Sequence, residues 1–160
     1  MLIRPARSED HASIWSIIGP PIRTGETYTL DPAMSEVDAL AYWLSADKET
    51  FVAEEAGATV GTYYMHPNQG GRGSHVCNCG YVTSGAVAGR GVAREMCKHS
   101  LSHAKSRGYR AMQFNFVVST NERAVRLWQA MGFDIIGRLP LAFNHPSQGY
   151  VDAFVMFQHL

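Results

Sequence analysis

The spacing of apolar positions changes several times along the chain, and each change predicts an element. Leu2-Ile3-Arg4-Pro5 has the form of a short edge strand whose pairing Pro5 ends. Ser8 is placed to N-cap a helix that carries Ile14, Trp15 and Ile18 and stops before Gly19-Pro20-Pro21. Residues 19–34 read as irregular and polar. A second helix is expected from Ser35, with Asp38 placed for a capping box, through Leu40, Ala41, Trp43 and Leu44. From Thr50 the period shortens to two, so residues 51–55 and 59–65 predict strands around a turn containing Gly57. Residues 68–73 are a flexible loop, and His75 to Thr83 predicts another strand.

Helical spacing returns from Gly91 to Arg107, with Val92, Met96, Cys97, Leu101 and Ala104 on one face and Gly108 as the stop. Met112 to Val118 is an apolar run of strand length, expected to be buried on both faces. Asn121 to Met131 predicts a short helix ended by Gly132, with strands following at 133–136 and 150–157. Helices, an antiparallel meander, one β-α-β unit and a closing hairpin make an α/β (α+β) protein. No repeat or low-complexity linker divides it, so residues 1–160 are expected to form a single domain.

Composition narrows the function. With 46% hydrophobic and 18% charged residues, the chain is neither disordered nor fibrous. Fourteen Lys+Arg balance fourteen Asp+Glu, so no basic field exists for nucleic acid. The apolar runs are too short to span a bilayer, and the opening residues lack a signal-peptide layout. Cys77, Cys79 and Cys97 have no disulfide-scaffold spacing and suit a reducing compartment. The expectation is a cytoplasmic protein with neither a nucleic-acid nor a membrane partner.

The informative stretch is Val82 to Arg94, which reads strand, Gly89-Arg90-Gly91-Val92-Ala93, then helix. Glycines at such a turn let the backbone approach a ligand, and the first N–H groups of the helix lie unpaired at the positive end of its dipole. The turn can cradle a pyrophosphate, with Arg90 adding charge, or it can be a tight turn that only needs glycine. A dinucleotide fingerprint fails, because Arg94 stands where the third glycine belongs and no acid ends the next strand at Val117-Val118-Ser119-Thr120. A kinase-type P-loop fails for want of Gly-Lys-Ser/Thr.

A second segment, Asn121 to Phe133, settles the comparison. Together the two stretches resemble the GNAT superfamily of acyl-CoA N-acyltransferases. That family carries Gln/Arg-x-x-Gly-x-Gly/Ala at the strand-to-helix turn and Asn-x-x-Ala-x-x-Leu-Tyr-x-x-x-Gly-Phe after the next strand. Ala88 to Ala93 match the first pattern except at its opening position, and Asn121, Ala124, Leu127, Gly132 and Phe133 match the second. The element order agrees from about residue 50 to 157, and Ile3-Arg4-Pro5-Ala6 resembles the family's opening.

The resemblance implies acetyl-CoA as co-substrate, in a cleft where two parallel strands of a mostly antiparallel sheet splay apart. By family role, Gly89, Arg90, Gly91, Val92 and Ala93 would cradle the pyrophosphate. Tyr81, Val82 and Thr83 would pair by backbone with the pantetheine arm, one N–H there polarising the thioester carbonyl. Asn121 and Ala124 would flank the far side of the arm, and Trp128 stands with them.

Many members place a Glu base on the strand before the turn and a Tyr acid in the second motif's helix. Asn78 and Trp128 occupy those positions, and neither an amide nor an indole titrates usefully. Candidate replacements are Glu26 and Tyr28 in the irregular segment, His145 and Tyr150 in the hairpin region, and Asn115 as a holder of water. A weakly basic acceptor, or base catalysis through ordered water, needs none of them. The expected activity is acetyl transfer to a primary amine, of a small molecule first and of a protein second. An acyl-CoA-binding or regulatory module with little turnover is the rival. The layout is similar to that of phosphinothricin-type and amino-acid N-acetyltransferases, and the family implies a homodimer. No metal site is expected: His75-x-Cys77-x-Cys79 lacks a fourth ligand, and the His99/His103 pair has no acid between them as zinc proteases do.

Overall fold

A computed structural model describes all residues, 1–160. Its strands are β1 (Leu2–Pro5), β2 (Glu49–Glu55), β3 (Ala58–Pro67), β4 (Val76–Thr83), β5 (Ala111–Val118), β6 (Asp134–His145) and β7 (Gly149–His159). Its helices are α1 (His11–Thr24), α2 (Glu36–Trp43), α3 (Val92–Ser106) and α4 (Glu122–Ala130). The strands form one sheet in the order β1-β2-β3-β4-β5-β7-β6. All neighbours are antiparallel except β4 and β5. This is the mostly antiparallel sheet with one splayed parallel pair that the family resemblance implies.

Two apolar layers hold the sheet between helices. On one face Met96, Cys97 and Ala104 of α3 and Trp128 of α4 pack on Phe51, Tyr63, Met65, Cys77, Cys79, Met112 and Phe114. On the other, Ile14, Ile17, Ile18 and Ile22 of α1 and Ala39 and Trp43 of α2 pack on Val52, Tyr64 and Val82. The alternation along β3 is the cause, since neighbours Tyr63 and Tyr64 enter opposite layers. No helix is long and apolar enough to cross a membrane.

Four expectations need correction. First, α1 does not stop before Gly19-Pro20-Pro21 but runs through both prolines to Thr24. Interior prolines cost about 3 kcal/mol each, yet Ile14, Ile17, Ile18 and Ile22 are all buried on this helix, at roughly 1.5–3 kcal/mol apiece. Burial wins, and Gly25 in the left-handed region (φ 63°) ends the helix with its N–H on the Pro21 carbonyl. Second, Ser8 does not cap α1. It opens a short 3₁₀ turn, Ser8–Asp10, and the Asp10 carboxylate accepts from the Arg7 N–H (2.7 Å) and from Arg4 (2.7 and 2.8 Å).

Third, β5 is not buried on both faces. It meets β4 only at Val76↔Ala111 and Cys77↔Met112, so beyond Met112 one flank is open and Asn115 is exposed. Fourth, the strand expected at 133–136 extends as β6 to His145, with register shifts at Ile135/Gly137 and Leu139/Phe143. Leu141 takes a positive φ (51°) there, and its N–H donates to the Asp152 carboxylate (2.9 Å). Gly137 and Pro140 conceal this strand in the sequence, and its largely exposed side chains give no alternation. The helix expected at Ser35 forms as read, with the Ser35 Oγ accepting from the Asp38 N–H (3.1 Å).

Arg4 ties β1, β2 and the entry of α1 together, bonding both Asp10 and Glu54. The hydrogen bond from Arg4 holds the Asp10 carboxyl below its usual range against the opposing effect of burial, and the Arg7 N–H adds to it. A depressed folded-state pKa gives stability that is fully present above the ordinary carboxylate pKa and is lost as pH falls through the folded one. Asp10→Asn should therefore lower the neutral-pH stability by about 1–3 kcal/mol, a few degrees of Tm. Melting curves over a pH series check this: the gap between the variant and the parent should close as acid protonates Asp10.

Candidate active site

The site begins where β5 leaves β4. The bonds Asn68 N–H to Val76 O (2.8 Å) and Ser84 N–H to Val60 O (2.9 Å) set the parity of the β3–β4 ladder. Even-numbered residues from Val76 to Ser84 bond β3, while Cys77, Cys79, Tyr81 and Thr83 aim their backbone groups toward β5. At Tyr81 and Thr83 no strand is there to receive them. Of the three expected backbone partners, Tyr81 and Thr83 thus face the gap. Val82 instead gives its backbone to Thr62 and lines the cleft with its side chain.

Asn78 marks the fork. Its Nδ2 donates to the Gln113 carbonyl across the gap (2.8 Å), a side chain standing in for the next rung of the ladder. Beyond it a cleft of about 590 Å³ runs through the sheet. Asn121, Ala124 and Trp128 wall one end, and Tyr28, Tyr42, Tyr64, Pro20 and Pro21 the other. The fork therefore brings together Asn78, Tyr81, Val82, Thr83, Asn115, Asn121, Ala124, Trp128 and Tyr28. Glu26 and Tyr150 do not line it; both are exposed, and Tyr150 retains 67% of its surface. His145 is buried in the hairpin, accepting from the Ser147 N–H (3.2 Å).

The glycine loop lies past the end of β4. Gly89 (φ 86°) and Gly91 (φ 84°) are left-handed, a conformation that a side chain would strain. The amides of Gly89, Gly91, Val92, Ala93 and Arg94 have no acceptor in the protein, the first bond of α3 being Glu95 N–H to the Gly91 carbonyl (3.1 Å). Five free N–H groups at the positive end of a 15-residue helix form an anion cradle. Arg90 is turned to Glu55 (2.7 Å) at the rim. The exposed Arg123 guanidinium, in no ion pair, reaches within 3.8 Å of where a Gly89 Cβ would stand.

Inside the cleft the polar groups are neutral. The Tyr28 hydroxyl donates to the Tyr81 carbonyl (2.9 Å), and burial pushes its ionisation well above the usual phenol range. The Tyr64 hydroxyl lies 3.3 Å from that of Tyr42, and burial raises it likewise. The Tyr81 hydroxyl points into the core, bonded to Ser100 (2.7 Å). Asn115 links Asn68 (2.7 Å) and Gln113 (2.8 Å) at the surface. Asn121 caps α4 through the Ala124 N–H (3.3 Å). Trp128 packs on Tyr81 (5.0 Å) and Phe114 (5.1 Å), while its indole N–H has no protein partner and is not sealed from solvent. The residues weighed for metal are engaged elsewhere: His75 bonds the Arg72 carbonyl, His99 the Tyr63 hydroxyl and His103 the Glu49 carboxylate.

Sequence reasoning missed the tyrosine wall. The signal was Gly80 in mid-strand, since an interior glycine marks close approach. A Cβ there would stand 2.6 Å from the Tyr64 ring, which crosses the strand to reach the cleft.

Comparison with known proteins agrees with this geometry. The family model described as Acetyltransferase (GNAT) family matches residues 10–133. A GCN5-related N-acetyltransferase from Kribbella flavida is 39% identical and superposes with a TM-score of 0.95 over 99% of this chain and 97% of its own. The N-acetyltransferase aca1 of Schizosaccharomyces pombe is 28% identical over 155 residues, 86% of this chain and 74% of its own. A phosphinothricin acetyltransferase from Sinorhizobium meliloti, solved in complex with AcCoA, shares the fold at 18% identity, with a TM-score of 0.86 over 99% of this chain and 88% of its own.

The contact between Gly80 and Tyr64 yields a test. Gly80→Ala should destabilise the fold by about 1–3 kcal/mol through overpacking. Gly85→Ala, whose Cβ would meet nothing within 4 Å, should be nearly neutral. Urea unfolding midpoints of the two variants decide it.

Proposed function

The chain belongs to the GNAT family, so it is an acetyl-CoA-dependent N-acetyltransferase, and from that premise we propose that residues 1–160 act as one domain acetylating a small-molecule primary amine in the cytoplasm. The observation that carries this reading is that one strand and the turn after it supply two features in succession: a gap in the sheet that begins at Asn78 and is lined as far as Thr83 and Gly85, and a cradle of orphaned amides from Gly89 into α3. Acetyl-CoA supplies the acetyl thioester and fits both features. Its pyrophosphate is matched by the amides of Gly89, Gly91, Val92 and Ala93, with Arg90 and Arg123 at the rim, and its extended arm by the free N–H of Tyr81 and the backbone groups of Thr83.

In this reading the Tyr81 N–H, with no strand partner, is placed to polarise the thioester carbonyl. Asn121 and Ala124 close the far side of the arm, and the Trp128 indole faces the cleft beside them. The aromatic end, with Tyr28, Tyr42 and Tyr64, receives the amine. A specific observation keeps a second reading in view: Asn78, at the position of the family's base, is committed to Gln113. A module that binds acetyl-CoA without turnover would have the same bond.

A homodimer is part of the proposal. Ile135, Ile136, Leu139, Leu141 and Tyr150 are exposed on the β6–β7 hairpin, and β6 is the outer edge of the sheet. An apolar, unpaired edge of twelve residues is a surface that proteins normally cover. Light scattering should give twice the chain mass for the native protein, and Leu141→Asp should return it to the monomer.

Acetyl-CoA at a hundred times its Kd should stabilise the folded chain by about 2.7 kcal/mol, read as a rise in Tm. Gly91→Glu, which sets a carboxylate among the free amides, should abolish that rise. Gly57→Glu carries a similar left-handed strain (φ 79°) in the β2–β3 turn and should keep it. Trp128→Phe should retain most of kcat. A shift without acetyl transfer to any amine would favour the binding module, and no shift at millimolar acetyl-CoA would overturn both readings.

A further inference from the structure

An amine entering the cleft meets no charged side chain, for no Asp, Glu, Lys, Arg or His is among the residues that line it. The groups that could titrate there are the phenols Tyr28, Tyr42, Tyr64 and Tyr81 and the thiol of Cys79. Burial raises Tyr28, Tyr64, Tyr81 and Cys79, and the Tyr28 hydroxyl is already donating to a carbonyl. Protonated phenols and thiols donate; they do not take a proton from an ammonium ion. Asn78 has no proton to exchange and is spent on Gln113.

Behind the aromatic wall the nearest charges do not help a cation. The Lys48 ammonium stands 3.5 Å from the centre of the Tyr42 ring and 4.6 Å from that of Tyr64, so these two rings already hold a cation and its charge opposes a second one beside them. His66 lies beyond Tyr64, ring centres 5.7 Å apart, and does not line the cleft. Asp47 neighbours Lys48 and His66 outside it, Glu26 is exposed, and His145 is enclosed in the hairpin. An alkylammonium, with a pKa of about 10, would lose its hydration here without gaining a counter-charge.

We propose that the acceptor is an amine of low basicity, uncharged at neutral pH and carried on a flat apolar or aromatic body, and that it is taken up as the free base with no side chain of the enzyme removing its proton. This rests on the acetyltransferase reading above and names its substrate class. The nitrogen lone pair forms the C–N bond at the thioester carbonyl as the C–S bond breaks, its electron pair leaving on sulfur. One amine proton passes through water to that sulfur, so amide and thiol form with no net proton exchanged with the chain. Lysine side chains, polyamines and other polycationic amines are disfavoured on the same grounds.

The test follows thiol release by the full-length protein with saturating acetyl-CoA, from about pH 5.5 to 9.5. Ring-substituted anilines, whose conjugate acids titrate well below neutrality, are set against benzylamines of the same shape, spermidine and a lysine peptide. For the anilines kcat/KM should be flat through neutrality, in the parent and in His66→Gln. For the benzylamines it should rise about tenfold per pH unit toward the amine's own pKa. A break near pH 6–7 with anilines that disappears in His66→Gln would identify an enzyme base and overturn the inference. So would turnover confined to spermidine, the lysine peptide or the benzylamines at pH 7. A Tm shift with acetyl-CoA measured in parallel separates the two levels: its absence, or its presence without thiol release from any amine, overturns the acetyltransferase reading itself.

Discussion

The parallel contact between β4 and β5 lasts for two residue pairs and then ends, and nearly every functional feature descends from that ending. A strand that loses its neighbour leaves backbone donors and acceptors without partners, a cost the fold accepts only where something else will occupy them. Here Asn78 carries the ladder one rung further with its side chain, Tyr28 takes one carbonyl, and the remaining groups line a cleft. The same strand runs on into the glycine turn, so the gap and the free amides of α3 are consecutive along the chain. One strand and its turn thus build both a channel and an anion cradle.

Much of this was legible in the sequence, for identifiable reasons. The turn glycines, Gly89 and Gly91, are at positions where a left-handed backbone admits little else, and Asn121 has a capping bond to make. Such local requirements leave a mark in the sequence. What stayed hidden depends on what lies opposite. The two prolines of α1 read as a stop because the burial of Ile22 behind them is a tertiary fact. The long β6 went unrecognised because its outer face has no core to impose alternation. Nothing in the local sequence tells Tyr64 from any other strand tyrosine, because its approach to Gly80 is set by the pairing of β3 with β4. Glu26 adjoins the lining residue Thr27 but turns to the surface, and Tyr150 lies exposed on the hairpin; neither direction is written in the local sequence.

Position 78 joins the fold to the chemistry. An amide offers a donor to the Gln113 carbonyl, whereas a carboxylate in its place would set acceptor against acceptor. The strut across the fork and a titratable base at its head are therefore mutually exclusive in this chain. With the strut in place, the walls around the acceptor end are phenols, prolines and amides, and the cation behind them belongs to Lys48.

The cleft passes through the sheet rather than into it. One end opens beside α4 and the other between α1 and β4, on opposite faces. The two ends of the cleft thus belong to different layers of the molecule, α4 to one and α1 to the other, with the broken sheet between them.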